Sequence, residues 1–249
     1  TALRVGTHAA AATLTDNPIG RNAWGQPYLP GSTLKGAVRT SIERIVPTLG
    51  LPGVRGCGLA QGSRIDCISV QEHRRHEASA IEDPASRAEY LAAHTCATCR
   101  LFGSPVLAGR VAFADLSLAV SGSSPSELRD GAPVDRDTER AYERRRFDYE
   151  VVSAGTTFEC DVTGHDLSGS DLGLLSIGML ELVHGQIVLG GGKSRGLGRC
   201  HLELATIEYV RFGAAFRAEL LLFLREGTMT KVDSPIAFLT ERLDALLSA

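Results

Sequence analysis

Tyr28-Leu29-Pro30-Gly31-Ser32-Thr33-Leu34-Lys35-Gly36-Ala37-Val38-Arg39 is a turn that runs straight into a helix. Ser32 is a fair N-cap, and Leu34, Val38, Ile42 and Ile45 recur at helical spacing until Pro47 and Gly50 end the pattern. Lys35 and Arg39 stand four residues apart, on one face turned away from the apolar stripe. The orphan N–H groups and positive dipole end of such a helix suit an anion. A capped surface helix with solvated cations would carry the same pattern.

Upstream, residues 1–7 read as the end of a strand, and residues 8–30 as a loop punctuated by Asn, Pro and Gly. Downstream, residues 50–95 change texture: they are polar, rich in Cys and His, and hold one short helix near 84–93. Residues 108–120 alternate as a strand, 121–146 form a polar, charged arm, and 147–163 return as strand. A second amphipathic helix spans 169–184, with Leu172, Leu175, Met179, Leu182 and Val183 as its stripe. A strand over 200–210 and short helices near 213–225 and 235–247 follow. The order strand, helix, strand, strand, helix, strand predicts an α+β, ferredoxin-like (RRM-related) fold, read as one domain over 1–249.

At 249 residues the chain can bury a core of its own. Its net charge of −3 excludes a globally basic nucleic-acid binder, so any such surface is local. No apolar run is long enough to span a membrane, no secretory signal is visible, and a cytoplasmic setting is expected. The chain starts at Thr1, in what reads as the tail of a strand, and is expected either to have lost N-terminal residues or to be cut from a longer polypeptide.

Four stretches carry chemistry. Leu189-Gly190-Gly191-Gly192-Lys193-Ser194-Arg195-Gly196-Leu197-Gly198-Arg199 combines glycines, which allow close backbone approach, with cations that suit a polyanion. It lacks P-loop spacing and context. The arm, Asp135-Arg136-Asp137-Thr138-Glu139-Arg140-Ala141-Tyr142-Glu143-Arg144-Arg145-Arg146-Phe147, interleaves basic and aromatic residues, as backbone contact plus base stacking requires. Cys96-x-x-Cys99 with Cys57 and Cys67 suits a closed tetrahedral zinc site, with Cys57, His73 and His76 competing for the fourth position. Cys160 and Cys200 fall in predicted strands and read as core. Asp16, in Thr15-Asp16-Asn17-Pro18-Ile19, reads on local physics as an Asx-turn former.

Together the helix opening, Cys99-Arg100-Leu101-Phe102-Gly103-Ser104, Asp135-Arg136-Asp137-Thr138 and the glycine-rich run resemble the signatures of the RAMP superfamily of CRISPR proteins. Their order resembles the repeating backbone subunit of type III effector complexes, and the cysteine-bearing insertion resembles zinc-containing variants such as type III-D and fused single-chain effectors. The resemblance implies a ferredoxin-like palm, a zinc-binding insertion over about 50–103, and a β-hairpin thumb over about 121–147 that wedges between guide and target. It implies that Lys35, Arg39, Lys193 and Arg195 hold the guide-RNA backbone, with Ser32, Arg136, Arg140 and Ser194 as further RNA-binding candidates. It implies that Asp16, in Asp16-Asn17-Pro18, cuts complementary target RNA with Mg²⁺ or another divalent cation, leaving a 2′,3′-cyclic phosphate; His8 is a second candidate for proton transfer. Partners implied are guide RNA, target RNA, neighbouring RAMP subunits or domains, and the large signature and small subunits. A non-catalytic scaffold of the same complex and a guide-processing endonuclease are the rival readings.

Overall fold

The structure is a computed structural model that describes residues 1–6, 15–51, 54–57, 67–119, 125–141 and 146–248. The first helix, α1 (Gly31–Leu49), follows the predicted stripe: Leu34, Val38, Ile42 and Val46 are buried. Its cap differs from expectation. Pro30 is the N-cap residue, no side chain caps the helix, and Ser32 lies exposed in the first turn. The Gly31 N–H donates instead to Asp115 Oδ1 at 2.8 Å. Pro47 falls inside the last turn, and Gly50, at φ 63°, closes the helix.

The cysteine-bearing segment contains α2 (Glu72–Ala80), α3 (Pro84–His94) and α4 (Ala97–Phe102). Asp83 caps α3 by accepting from the Ser86 N–H at 2.7 Å, with Pro84 at the first helical position. The predicted strand over 108–120 is split into β1 (Val111–Phe113) and β2 (Ser117–Leu118), because Asp115 between them turns to the α1 N-terminus. Then come β3 (Ser126–Gly131), β4 (Phe147–Val152), β5 (Phe158–Glu159) and β6 (Val162–Gly164). After α5 (Gly169–Val183), the expected strand over 200–210 shrinks to β7 (Glu208–Tyr209). The chain finishes with α6 (Arg217–Glu226), β8 (Thr230–Lys231) and α7 (Pro235–Leu247).

Among the described residues the strands form two-stranded antiparallel pairs: β1–β6, β2–β5, β3–β4 and β7–β8. The N-terminal segment lies against β4, where Leu3 and Val152 exchange backbone bonds of 2.9 and 2.7 Å. The fold is mixed α+β.

α5 is the centre of the helical layer. Its stripe is broader than periodicity predicts: Leu174, Ile177, Met179 and Leu182 are buried, while Leu172, Leu175 and Val183 are only half-buried. It packs between two helices, and glycine marks each crossing. A Cβ on Gly178 would lie 2.6 Å from Val38 Cγ1 of α1, and one on Gly173 would lie 2.6 Å from Leu246 Cβ of α7. A helix buried on two sides has little room for a polar face. A capping box fixes its start: Ser168 and Asp171 bond reciprocally, and Arg110 donates to Asp171 Oδ2 at 2.7 Å. Cys160 and Cys200 are half-buried and pack against this core, outside any strand.

Candidate metal centre and nucleic-acid interface

Cys57, Cys67, Cys96 and Cys99 come together from three places in the sequence, with their sulfurs within 4.8 Å of one another. All four are buried and none is in a disulfide. Cys96 is the N-cap of α4 and Cys99 sits in its first turn, so one tight turn presents both sulfurs. The geometry favours Cys57 as the fourth ligand; His73 and His76 are exposed on α2. Cys57 and Cys99 sulfurs are 3.5 Å apart. Four thiolates about 2.3 Å from a tetrahedral Zn²⁺ would stand about 3.8 Å apart, so the cluster fits that ion with little adjustment. Without a cation the sulfurs conflict. Hydrogen bonding to Cys67 pushes the Cys57 thiol up, while the bond from Cys57 lowers Cys67 and lowers Cys96 to about 6. A divalent cation lets all four ionise.

α1 is stitched to the segment Cys99–Asp115 along one face. The Lys35 ammonium donates to the Val111 carbonyl at 2.9 Å. Arg39 uses every nitrogen of its guanidinium: Nε to Glu43 Oε1 at 2.8 Å, one terminal nitrogen to the Gly103 carbonyl at 2.8 Å, and the other to Cys99 Sγ at 3.3 Å. With Gly31 bonded to Asp115, positions 31, 35 and 39 form a polar seam at four-residue spacing. The two cations do share a face, as expected, but that face is turned onto the chain itself. The N-terminal anion of α1 is likewise the chain's own Asp115. Gly31 is required by packing, since a Cβ there would lie 2.1 Å from the Phe113 carbonyl oxygen. Burial lowers the Lys35 pKa, and the nearby Arg39 charge lowers it further. Burial also opposes the Arg39 charge, but the Glu43 bond and charge and the Cys99 sulfur outweigh it and raise its pKa.

The Asp16 loop rests on β4. Asp148 Oδ1 accepts from the Thr15 hydroxyl at 2.8 Å and from the Asp16 N–H at 2.7 Å. These two bonds lower the Asp148 pKa. The Asn17 side-chain amide donates to the Asp148 carbonyl at 3.1 Å. The turn is closed by Thr15, whose hydroxyl accepts from the Asn17 N–H at 3.3 Å, so Asp16 is not the Asx-turn former. Its carboxylate is exposed, with no bonded partner among the described residues. His8 lies outside the described residues. Asp148 went unread in the sequence, although the alternation Phe147-Asp148-Tyr149-Glu150 marks it as a strand residue.

A second loop in this region presents Trp24, which is 83% exposed. Asn22 builds its turn by accepting from the Trp24 and Gln26 N–H groups at 3.0 and 2.9 Å. Arg21 ties the loop to Ser126 of β3 at 2.9 Å and to Glu150 of β4.

The glycine-rich run is a clasp with an exposed tip. Gly191 N–H donates to the Arg4 carbonyl and Gly198 N–H to the Ala2 carbonyl, both at 2.8 Å. Cβ atoms on Gly190 and Gly198 would lie 2.2 Å from Arg4 O and 1.9 Å from Leu189 O. Those glycines serve approach to the chain's own backbone, where the sequence suggested approach to a ligand. Lys193, Ser194 and Arg195 form an exposed 3-10 turn at the tip. Arg4 joins this clasp to the Asp16 loop: its guanidinium donates to Asn17 Oδ1 at 2.9 Å and lies over the Tyr149 ring.

The arm includes the β3–β4 pair, in register from Ser126–Val152 to Gly131–Phe147. Beyond it, Val134 and Ala141 bridge, and Asp135 closes the intervening turn by accepting from the Asp137 and Thr138 N–H groups at 2.9 Å each. Arg136 and Arg140 are exposed on that turn. Tyr142, Arg144 and Arg145 lie outside the described residues. No helix among the described residues is long and apolar enough to cross a membrane.

No curated protein matches the chain. The family model for the RAMP superfamily matches residues 1–201, which takes in the α1 seam, the cysteine cluster, the arm and the whole glycine-rich clasp; the chain belongs to the RAMP superfamily.

Proposed function

We propose that the chain is a guide-RNA-binding backbone unit of a type III CRISPR effector complex, and that it cuts complementary target RNA through Asp16. One observation carries this reading. Arg4 bonds the glycine-rich clasp with its carbonyl and the Asp16 loop with its guanidinium, so a cationic tip and an unengaged carboxylate share one support.

In this reading the palm is the ferredoxin-like core around α1, α5 and the N-terminal segment. Lys193, Ser194 and Arg195 contact guide phosphates, as do Arg136 and Arg140 on the thumb built from the β3–β4 pair. Ser32 and the two unspent N–H groups of Lys35 add polar contacts at the start of α1. Arg39, bonded inward, is left out of this set. Trp24 offers a stacking face for a base displaced by the thumb. Asp16, held by Asp148 from behind, faces a splayed nucleotide and takes the proton of its 2′-OH. That oxygen attacks the adjacent phosphorus, the bond to the next 5′-oxygen breaks, the 5′-oxygen leaves as a hydroxyl with a proton from solvent water, and a 2′,3′-cyclic phosphate remains. A divalent cation held at Asp16 would stabilise the charge on that phosphate. The zinc site is structural.

The test is cleavage of a labelled target by the guide-loaded assembly in Mg²⁺, comparing wild type with Asp16→Ala. Loss of one or more cuts with target binding retained supports the reading. Unchanged cuts refute Asp16, and no cuts from wild type leave a scaffold that spaces guide and target.

A further inference from the structure

The cysteine cluster has an electrostatic problem that its ligands do not solve. Four thiolates around Zn²⁺ carry a net charge of about −2, and here they are buried, where an uncompensated charge is costly. Metal-bound groups in such sites need donors from the surrounding shell. Ser69 supplies one, its hydroxyl donating to Cys99 Sγ at 3.1 Å. The Cys96 N–H approaches Cys67 Sγ at 3.5 Å. Both are neutral.

Arg39 is different in kind. It brings a full positive charge to 3.3 Å from Cys99 Sγ, on a side chain whose other two bonds fix its direction. Glu43, itself buried, holds Nε one helical turn away on α1. The Gly103 carbonyl holds a terminal nitrogen from just past the end of α4. Cys99 is wholly buried, so Arg39 and Ser69 stand where water would otherwise solvate the sulfur. A planar fork anchored at two points and aimed at a third is a geometry that lysine cannot reproduce.

We propose that Arg39 is a positioning residue of the metal centre: its guanidinium neutralises and orients the Cys99 thiolate and ties the centre to α1. This rests on the reading of the four cysteines as a zinc site. It gives a motif arginine, expected from the sequence to hold guide phosphate, a role inside the protein. It also makes the insertion and α1 one mechanical unit, since the residue that stabilises the metal is the one that spans them.

The experiment uses the full chain purified with zinc. Zinc content is measured first, and then the rate of zinc release to a chromophoric chelator while cysteine alkylation is followed by peptide mass spectrometry. Arg39→Ala is expected to release zinc about 10-fold faster or more, in line with the loss on removing such outer-shell partners, and to expose Cys99 to alkylation earliest of the four cysteines. Glu43→Gln should give a smaller change in the same direction. Arg44→Ala, exposed on the same helix and paired with Glu181, should release zinc at the wild-type rate. Release from a folded Arg39→Ala at the wild-type rate, or the same acceleration from Arg44→Ala, overturns the proposal. Should Arg39→Ala not fold, Arg39→Gln keeps the stem and helix propensity but lacks the charge and fork, and wild-type release from it overturns the proposal equally. A wild-type chain without zinc overturns the metal reading and this proposal together.

Discussion

Gly190→Ala isolates the clasp between the glycine-rich loop and the N-terminal segment, because a second glycine in the same loop serves as its control. Gly190 has φ 71° and Gly196 has φ 81°, so alanine at either position meets the same left-handed penalty, about 1 kcal/mol. The surroundings differ. An added Cβ on Gly196 has nothing within 4 Å, whereas on Gly190 it would lie 2.2 Å from the Arg4 carbonyl oxygen. That oxygen has to retreat by about 1 Å to restore ordinary contact. It is the acceptor of the Gly191 N–H at 2.8 Å, so the retreat also sacrifices a hydrogen bond of about 1 kcal/mol. With residual strain, Gly190→Ala should cost about 3 kcal/mol against about 1 kcal/mol for Gly196→Ala. For a chain of this length that corresponds to a fall in Tm of about 6–12 °C against about 2–4 °C. Differential scanning calorimetry on the zinc-loaded proteins makes the comparison. Because Arg4 also holds Asn17, Gly190→Ala should weaken target cleavage beyond its effect on RNA binding, and Gly196→Ala should not. Equal falls in Tm would refute the clasp as drawn.

Chelation of zinc should raise hydrogen exchange in residues 54–57 and 67–102 first, leaving α5 and α7 protected until global unfolding; uniform loosening would mean that the metal is not local to the cluster. Lys193→Ala and Arg195→Ala should each flatten the salt dependence of guide binding, lowering the slope of log K against log salt by about one, with Tm unchanged because both residues are exposed. Asp148 has a lowered pKa, from its bonds to the Asp16 N–H and the Thr15 hydroxyl, so its stabilisation is present above the unfolded carboxylate value and is lost as pH falls through the lowered folded value. Glu150 is lowered against the opposing effect of its burial, by Ser126, the Ile19 N–H and Arg21, and adds in the same acid window. Acid scans of Tm should therefore be flatter in Asp148→Asn and Glu150→Gln than in wild type.

What the sequence made legible was whatever depends on near neighbours. α1, α3, α5 and α7 lie close to their predicted spans because periodicity and caps are local signals. The four cysteines were legible because thiolates in that number have few alternative uses, although only the fold chose Cys57 over two histidines. The strands were the weak point. The 108–120 segment alternates well, yet it breaks at Asp115, whose partner Gly31 lies far back in the chain. The inward bonds of Lys35 and Arg39 were hidden for the same reason, since the Val111 and Gly103 carbonyls that accept them leave no mark on helical periodicity. Asp148 was invisible because a lone strand acid means nothing until Thr15 and Asp16 are seen to bond it.

The net charge of −3 looks adverse for binding a polyanion, but the described cations divide into two populations. Arg4, Arg39 and Arg110 are bonded to Asn17, Glu43 and Asp171, and Arg21 to Glu150, so these cations hold loops and helix ends in place. Glu43, Asp171 and Glu150 are engaged in the same bonds. Arg136, Arg140, Lys193 and Arg195 remain exposed, on two turns built by Asp135 and by the clasped glycines. Phosphate binding depends on local potential within about 8 Å, the screening length at physiological salt, and not on the total charge. The inward cations thus set the geometry in which the outward ones act, and in α1 the two roles meet on adjacent turns: Lys35 makes one bond inward and keeps two N–H groups to spare, while each guanidinium nitrogen of Arg39 is bonded inward.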